Sequence, residues 1–356
     1  MSIHNFSAGP SILPKEVFEE AAAAVLDFNG SGLSLLEMSH RSAPFEAVMD
    51  EAMVLVKSLL DLDTTQKVMF LSGGASSQFF MIPMNLLNPS GRACYVNTGT
   101  WASGAIKEAK AFGNVEVLGS SENEAFTHIP KDFMIPSDAT YLHLTSNNTI
   151  YGTQYHSFPD SPIPIVCDMS SDIFSKPINA QEFGVIYAGA QKNMGPAGTT
   201  LVIVKEELLG HVDRHIPTML DYRTHIKSGS MYNTPPVFPI YVSMLTMRWI
   251  KKMGGPAAMK IRNQGKAELL YNEIDRNPLF KGTVAKDDRS WMNANFVLQN
   301  EALGAAFDAA WKAAEISGLK GHRSVGGYRA SMYNALPLES VQVLVDVMKD
   351  FEKSNG

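Results

Sequence analysis

Residues 163–192 read IPIVCDMSSDIFSKPINAQEFGVIYAGAQK. Two apolar runs, 163–167 and 184–190, each break into a polar turn, DMSS after the first and QK after the second. Short apolar runs of this kind read as strands buried on both faces, the mark of a parallel sheet. Asp168 closes the first run and Lys192 follows the second, 24 positions later. That separation is close to one βαβ unit, so neighbouring strands are expected to deliver a carboxylate and an amine to the same rim of the sheet. Lys192 lies among alanines and glycines with no acidic neighbour in sequence. It is either a solvated loop lysine or an amine that does chemistry.

Outward from this pair, helix-like and strand-like segments alternate. EVFEEAAAAVLDF (16–28) and PFEAVMDEAMVLVKSLLDL (44–62) keep apolar residues at three- and four-residue spacing, the second opening on a proline. KVMFLSGG, ACYVNTG, VEVLG, TYLHLTSN and TLVIVKEELL read as further strands, and SQFFMIPMNLL and WASGAIKEAKAFG as helices. The pattern predicts an α/β fold with a mostly parallel central sheet in a large domain. GGP at 254–256 punctuates the chain after a long helix. The expected division is an N-terminal arm over 1–15, packing with the small domain, a large domain over 16–258 and a smaller α/β domain over 259–356. Ligands of parallel sheets bind beyond the carboxyl ends of the strands. The segments to weigh are therefore GGASSQ (73–78), NTGTW (97–101), SNNT (146–149), DMSS (168–171) and AGAQK (188–192).

The 356 residues are 45% hydrophobic and 19% charged, an ordinary globular composition. A net charge of −6 advertises neither a nucleic-acid nor an anionic-membrane surface. Cys94 and Cys167 lie in apolar runs without metal-ligand spacing, and are expected to be buried reduced thiols. No metal, no membrane segment and a cytoplasmic setting are the expectations.

A glycine-crowded, desolvated lysine opposite an acid suits a Schiff-base amine, and a buried carboxylate suits a pyridinium nitrogen. Pyridoxal phosphate needs both. Its phosphate would find backbone N–H groups in GGASSQ at a helix start, with the Ser76 and Ser77 hydroxyls at hand. Trp101 can cover the ring, Thr149 can reach its phenolic oxygen, and Gln191 can reach the phosphate.

On FSAGPS (6–11), MSHRS (38–42), SNNTIYGT (146–153), DMSSDIFSKPI (168–178), GVIYAGAQKNMGPAG (184–198), SMYNTPPVFPIY (230–241) and GHRSVGGYRASMYNA (321–335), the chain resembles the phosphoserine aminotransferases over nearly its whole length. These are fold-type-I, class-V pyridoxal-phosphate enzymes. The resemblance implies Lys192 as the Schiff-base lysine, Asp168 on the pyridine nitrogen, Trp101 stacked and Thr149 beside the ring. It implies Ala75, Ser76 and Gln191 at the phosphate. It also implies Asn233 and Thr234 at the phosphate of the other subunit, hence a homodimer.

The substrates so implied are glutamate and a phosphorylated three-carbon keto acid, 3-phosphohydroxypyruvate, and the phosphorylated hydroxythreonine of vitamin B6 synthesis is a plausible second substrate. Each carries an α-carboxylate and a distal anion, which arginine forks suit. Arg329 is expected on the α-carboxylate and the pairs His40-Arg41 and His322-Arg323 around the distal anion, one pair from the partner subunit. Ser7 is expected to touch the amino acid. Some members carry an arginine in the glycine turn where this chain has Ser76, which leaves one cation fewer here. Three rivals remain at this point. A desulfurase needs an exposed cysteine, a nucleotide-binding oxidoreductase needs a GxGxxG turn that the sequence lacks, and a binding scaffold would leave Lys192 and Asp168 without a role.

Overall fold

A computed structural model describes residues 3–356. After a two-residue strand, β1 (His4–Asn5), come helices α1 (Lys15–Leu26) and α2 (Ala43–Leu60). Then follow β2 (Gln66–Leu71), α3 (Gly74–Leu86), β3 (Arg92–Asn97), α4 (Thr100–Ala109), β4 (Asn114–Ser120), β5 (Tyr141–Thr145), β6 (Ile165–Asp168), β7 (Phe183–Gly189) and β8 (Thr200–Lys205). A short helix, α5 (Tyr222–Lys227), and two long ones, α6 (Val237–Lys252) and α7 (Gly255–Arg276), lead to the C-terminal part. It contains β9 (Phe280–Gly282), β10 (Asn293–Leu298), α8 (Gly304–Ala313), β11 (Ile316–Ser317), β12 (Tyr328–Ser331) and α9 (Leu338–Asn355).

Seven strands form the main sheet in the order β2-β8-β7-β6-β5-β3-β4. All pairs are parallel except those of β8, which runs against both β2 and β7. The central strands β5, β6 and β7 are buried throughout, as their largely apolar runs lead one to expect. The edge strand β4 is largely exposed and polar, and a bulge at Tyr95/Val96 offsets its pairing, both of which discourage edge-to-edge association.

Side chains alternate across the sheet, and the two faces have separate cores. Ile165, Cys167 and Ile186 join α1, α2 and α6 on one face. Val166, Val185 and Tyr187 join α3 and α4 on the other. Helix α2 shows why such elements form. Pro44 sits in its first turn, Phe45, Val48, Met49, Ala52, Leu55, Val56 and Leu59 make one buried stripe, and Asp61 ends it in the left-handed region. Burial of each large apolar side chain in such a stripe contributes about 1.5–3 kcal/mol.

The glycines at 254–255 start a helix rather than a linker. Gly254 is left-handed and Pro256 lies in the first turn of α7. Met259 packs into the sheet's core, while Ala267, Leu270 and Ile274 pack into the C-terminal core. A single helix therefore serves both units across the punctuation. Inside it lies a fully buried lysine. Lys266 donates to the carbonyls of Met332 and Tyr333 at 2.8 and 2.6 Å. The N-terminal arm joins the same unit: β1 pairs in parallel with β11, and Phe6 is buried in the C-terminal core.

Candidate active site

Asp168 ends β6 in register with Tyr187 of the adjacent β7. Alternation along β6 puts Asp168 on the side of Val166, the face covered by α3 and α4. The first turns of those two helices carry Ala75, Ser76 and Trp101, so topology gathers the expected residues on one rim. Asp168 Oδ1 accepts the backbone N–H of Ser170 at 2.9 Å and its hydroxyl at 2.6 Å. The Ser170 hydroxyl in turn accepts the Gly189 N–H at 3.0 Å, which ties the ends of β6 and β7 together. Burial raises the Asp168 pKa above the ordinary carboxylate value, against the opposing pull of Lys192 and the Ser170 bonds.

Lys192 is buried, and its ammonium donates to Thr149 Oγ1 at 2.8 Å. It lies 5.5 Å from the centre of the Trp101 ring. Desolvation holds its pKa down to about 8, the Asp168 carboxylate pulling it back up and Arg329 pushing it further down. Near pH 7.5 a group with a pKa of about 8 is neutral roughly a quarter of the time, against about one part in a thousand for an ordinary lysine. The solvated-loop reading of Lys192 therefore fails on burial, and the chemical one has the amine it needs.

The glycine turn is built for an anion. Gly73 has φ +96, and a Cβ there would meet the Ser77 hydroxyl at 1.9 Å. The N–H groups of Gly74, Ala75 and Ser76 precede the first in-helix bonds of α3 and stand open at its positive end. Ser76 is exposed beside them. The Ser77 hydroxyl, expected as a phosphate donor, is instead engaged by the Gly73 carbonyl at 3.1 Å, because it sits one turn into the helix. Asn148 braces the neighbouring loop, donating to Thr98 Oγ1 at 3.0 Å and Thr153 Oγ1 at 2.9 Å, and so fixes Thr149 against the turn that carries Trp101. Gln191, half-buried, flanks Lys192.

Arg329 stands on β12, with its NH1 3.3 Å from the Thr149 carbonyl, so one residue serves both cations, Lys192 through its hydroxyl and Arg329 through its backbone. Burial lowers its pKa, and a guanidinium stays charged in proteins. His322 is depressed by burial and by the charges of Arg329 and Arg323, which marks these three as one positive cluster. His40 and Arg41 precede α2 and share no hydrogen bond with that cluster; the buried His40 Nε2 has no partner among the described residues. Asn233 and Thr234 are exposed, and Asn233 lines a hollow of about 250 Å³ with Ser72, Gly73 and Ser77. Ser7 packs against Gly318.

Other residues of the arm touch the lysine loop. The Ser11 hydroxyl donates to the Lys192 carbonyl, and the Ser11 N–H donates to Gln191 O at 3.0 Å. At Gly9, φ +141, a Cβ would come 3.2 Å from Lys192 Cγ, so this glycine keeps room for the lysine stem. Tyr333 donates to Ala8 O at 2.6 Å. Sequence reasoning missed Ser11, Ser170 and Tyr333. Only Ser170 has a local signal, a serine two places after an aspartate that can close on its carboxylate.

Three features test whether pyridoxal phosphate fits. Trp101 Nε1 and Arg329 Nε are buried without partners among the described residues. A raised, buried carboxylate faces a depressed amine without a direct ion pair. The open amides of the glycine turn wait on the same rim. Buried polar groups are ordinarily paired, so the orphans mark a place for a ligand, and the donor set suits this one. Both cysteines are buried and free, and burial drives Cys94 up to about 11. A desulfurase's exposed thiol is therefore missing. No cluster of metal-ligating residues occurs among the described residues, and no described helix is long and apolar enough to cross a membrane.

The model of the aminotransferase class-V family matches residues 3–344. A phosphoserine aminotransferase of Flavobacterium psychrophilum is 65% identical over 353 residues, covering 99% of each chain. The solved phosphoserine aminotransferase of Bacillus circulans subsp. alkalophilus superposes with a TM-score of 0.97 at 48% identity, over 100% of this chain and 99% of that one. A pyridoxal-phosphate-bound phosphoserine aminotransferase of Trichomonas vaginalis gives 0.93 at 37% identity, over 98% and 100%.

Proposed function

Because the chain belongs to the phosphoserine aminotransferase family of class-V aminotransferases, we propose that it moves an amino group between glutamate and 3-phosphohydroxypyruvate. The products are O-phospho-L-serine and 2-oxoglutarate, and the cofactor is pyridoxal phosphate. The observation that carries this reading is the buried amine of Lys192, held between Thr149 and Trp101 at the rim where Asp168 ends β6.

Ala75, Ser76 and Gln191 would hold the cofactor phosphate, Trp101 the ring face, Thr149 the phenolic oxygen and Asp168 the ring nitrogen. When bound, pyridoxal phosphate supplies an electron sink for charge developing at the substrate's α-carbon. Lys192 Nζ takes the α-proton and returns it on the far side of the transfer, which its depressed pKa suits. Asp168 keeps negative charge fixed in a dry site, an electrostatic role that needs no movement during reaction. Arg329 binds the α-carboxylate with its fork. His322 and Arg323 bind the distal anion with His40 and Arg41 of a second protomer, and Ser7 closes over the amino acid.

The exposed Asn233 and Thr234 reach the cofactor phosphate of that second protomer, so the working unit is a homodimer. The arm (1–15) and the small unit (259–356) close the site against the large one (16–258). A cytoplasmic setting accords with two free thiols. A coupled transamination assay tests the reading. Phosphoserine should exceed serine by about 100-fold or more in kcat/KM, since the cations gathered for the distal anion are left without their partner. Equal use of serine would overturn the phosphate assignment.

A further inference from the structure

Among the described residues, the Arg329 side chain is tied to the rest of the site only by a long bond to the Thr149 carbonyl. Its placement is therefore decided by the path of β12, a strand of four residues. The strand pairs along its length with β10, and the chain that leaves it is pinned further on. The Asn334 N–H donates to Asn193 Oδ1 at 2.9 Å, and Asn193 is the residue that follows Lys192. Asn193 Nδ2 donates to the Ile173 carbonyl at 2.6 Å, in the turn after Asp168. On the other side, Asn263 of α7 donates to Asn334 Oδ1 at 2.8 Å and to the Ser175 carbonyl at 3.1 Å. Asn334 Nδ2 reaches the Phe174 carbonyl at 3.3 Å. All three asparagines are buried, at 3% exposure or less.

Three amides thus run in one chain from the lysine loop, through the segment that leaves β12, to α7. Each amide offers donors and an acceptor that must be matched in direction as well as distance, whereas apolar contacts there would tolerate sliding. A buried amide chain adds little net stability over well-packed apolar groups, but it admits one register. We propose that Asn193, Asn334 and Asn263 are positioning residues that set the spacing between Arg329 and Lys192, so that one amino acid presents its carboxylate to the first and its α-carbon to the second. The proposal rests on the roles assigned above to Lys192 and Arg329.

A double-mutant cycle on the holoenzyme tests it. Arg329→Lys, Asn193→Ala and the double variant are compared in kcat/KM for glutamate. Calorimetry adds their affinity for glutarate, a five-carbon dicarboxylate with no amine to react. If the relay acts through Arg329, each single variant loses about 10-fold, and the double loses about 10-fold rather than about 100-fold, in both measurements. Losses that multiply mean that the asparagines only support the fold, and overturn the proposal. An Arg329→Lys variant that matches the parent removes the site reading itself, a distinguishable failure. Should Asn193→Ala not fold, Asn263→Ala carries the same cycle, since it breaks the chain at α7 and leaves the lysine loop intact.

Discussion

Lys192 and Lys266, two of the lysines buried in this molecule, have surroundings that could hardly differ more. Lys192 stands at the rim of the seven-stranded sheet with one hydrogen bond, to a hydroxyl, and a ring on one side. Lys266 stands inside the seam between α7 and the chain leaving β12, fully covered, with two backbone carbonyls on its amine. Desolvation lowers both; at Lys192 the Asp168 carboxylate opposes it, and at Lys266 no carboxylate does. An amine whose partners are all fixed main-chain acceptors has nowhere to go and nothing to meet. An amine with a single weak partner, an acid across the gap and unpaired donors around it is available. Burial alone does not make a reactive lysine; incomplete satisfaction does.

The largest effects would separate the two regions. Lys192→Ala should remove hydride-trapped cofactor label from the protein and cut transamination by about 10²–10⁴-fold or more, with the thermal midpoint little changed. Lys266→Met should do the reverse, leaving turnover within a few-fold and lowering stability to denaturant by about 1–3 kcal/mol, as two carbonyls lose their donor. If label persists in Lys192→Ala, or Lys266→Met abolishes turnover in folded protein, the contrast is wrong.

A smaller change sharpens the reading of the rim. Asp168→Ala should lower turnover by about 100-fold or more and weaken cofactor retention. Near-normal steady-state rates would take Asp168 out of the mechanism.

The smallest effect is in titration. In cofactor-free protein, acylation of Lys192 should rise with a midpoint near pH 8, while Lys266 stays unreactive until the fold opens. Asp168→Asn should move the midpoint down, since the carboxylate favours the ammonium, and Arg329→Gln should move it up, since a repelling cation is lost. The linked stability has a definite sign. The unfolded chain holds the Lys192 proton more tightly than the folded one, so this group's contribution to stability rises with pH between about 8 and 10.5. Peptide mapping across pH would read all three midpoints.

Much of the rim was legible in the chain itself. Apolar runs ending in DMSS and QK are local signals, as are the turn at GGASSQ and the tryptophan after NTGT. Each depends on residues a few places apart, and strand physics then carries their ends to one side of the sheet. Tyr187 and His143, by contrast, read only as strand residues. Their 2.8 Å hydrogen bond beneath the sheet had no pattern to announce it, because period-two alternation reports burial and not the polar tip of a buried ring.

By itself, then, the order of residues determined a mostly parallel sheet and the placement of an acid and an amine beyond adjacent strands. Tertiary structure alone decided which lysine is free and which is tied, that β8 runs backwards, that α7 serves two cores, and that Ser11 grips the carbonyl of a residue 181 positions away. The reason is one of range. Turns and periodicity arise from neighbours along the chain, whereas the satisfaction of a buried polar atom depends on whatever distant segment packing brings against it.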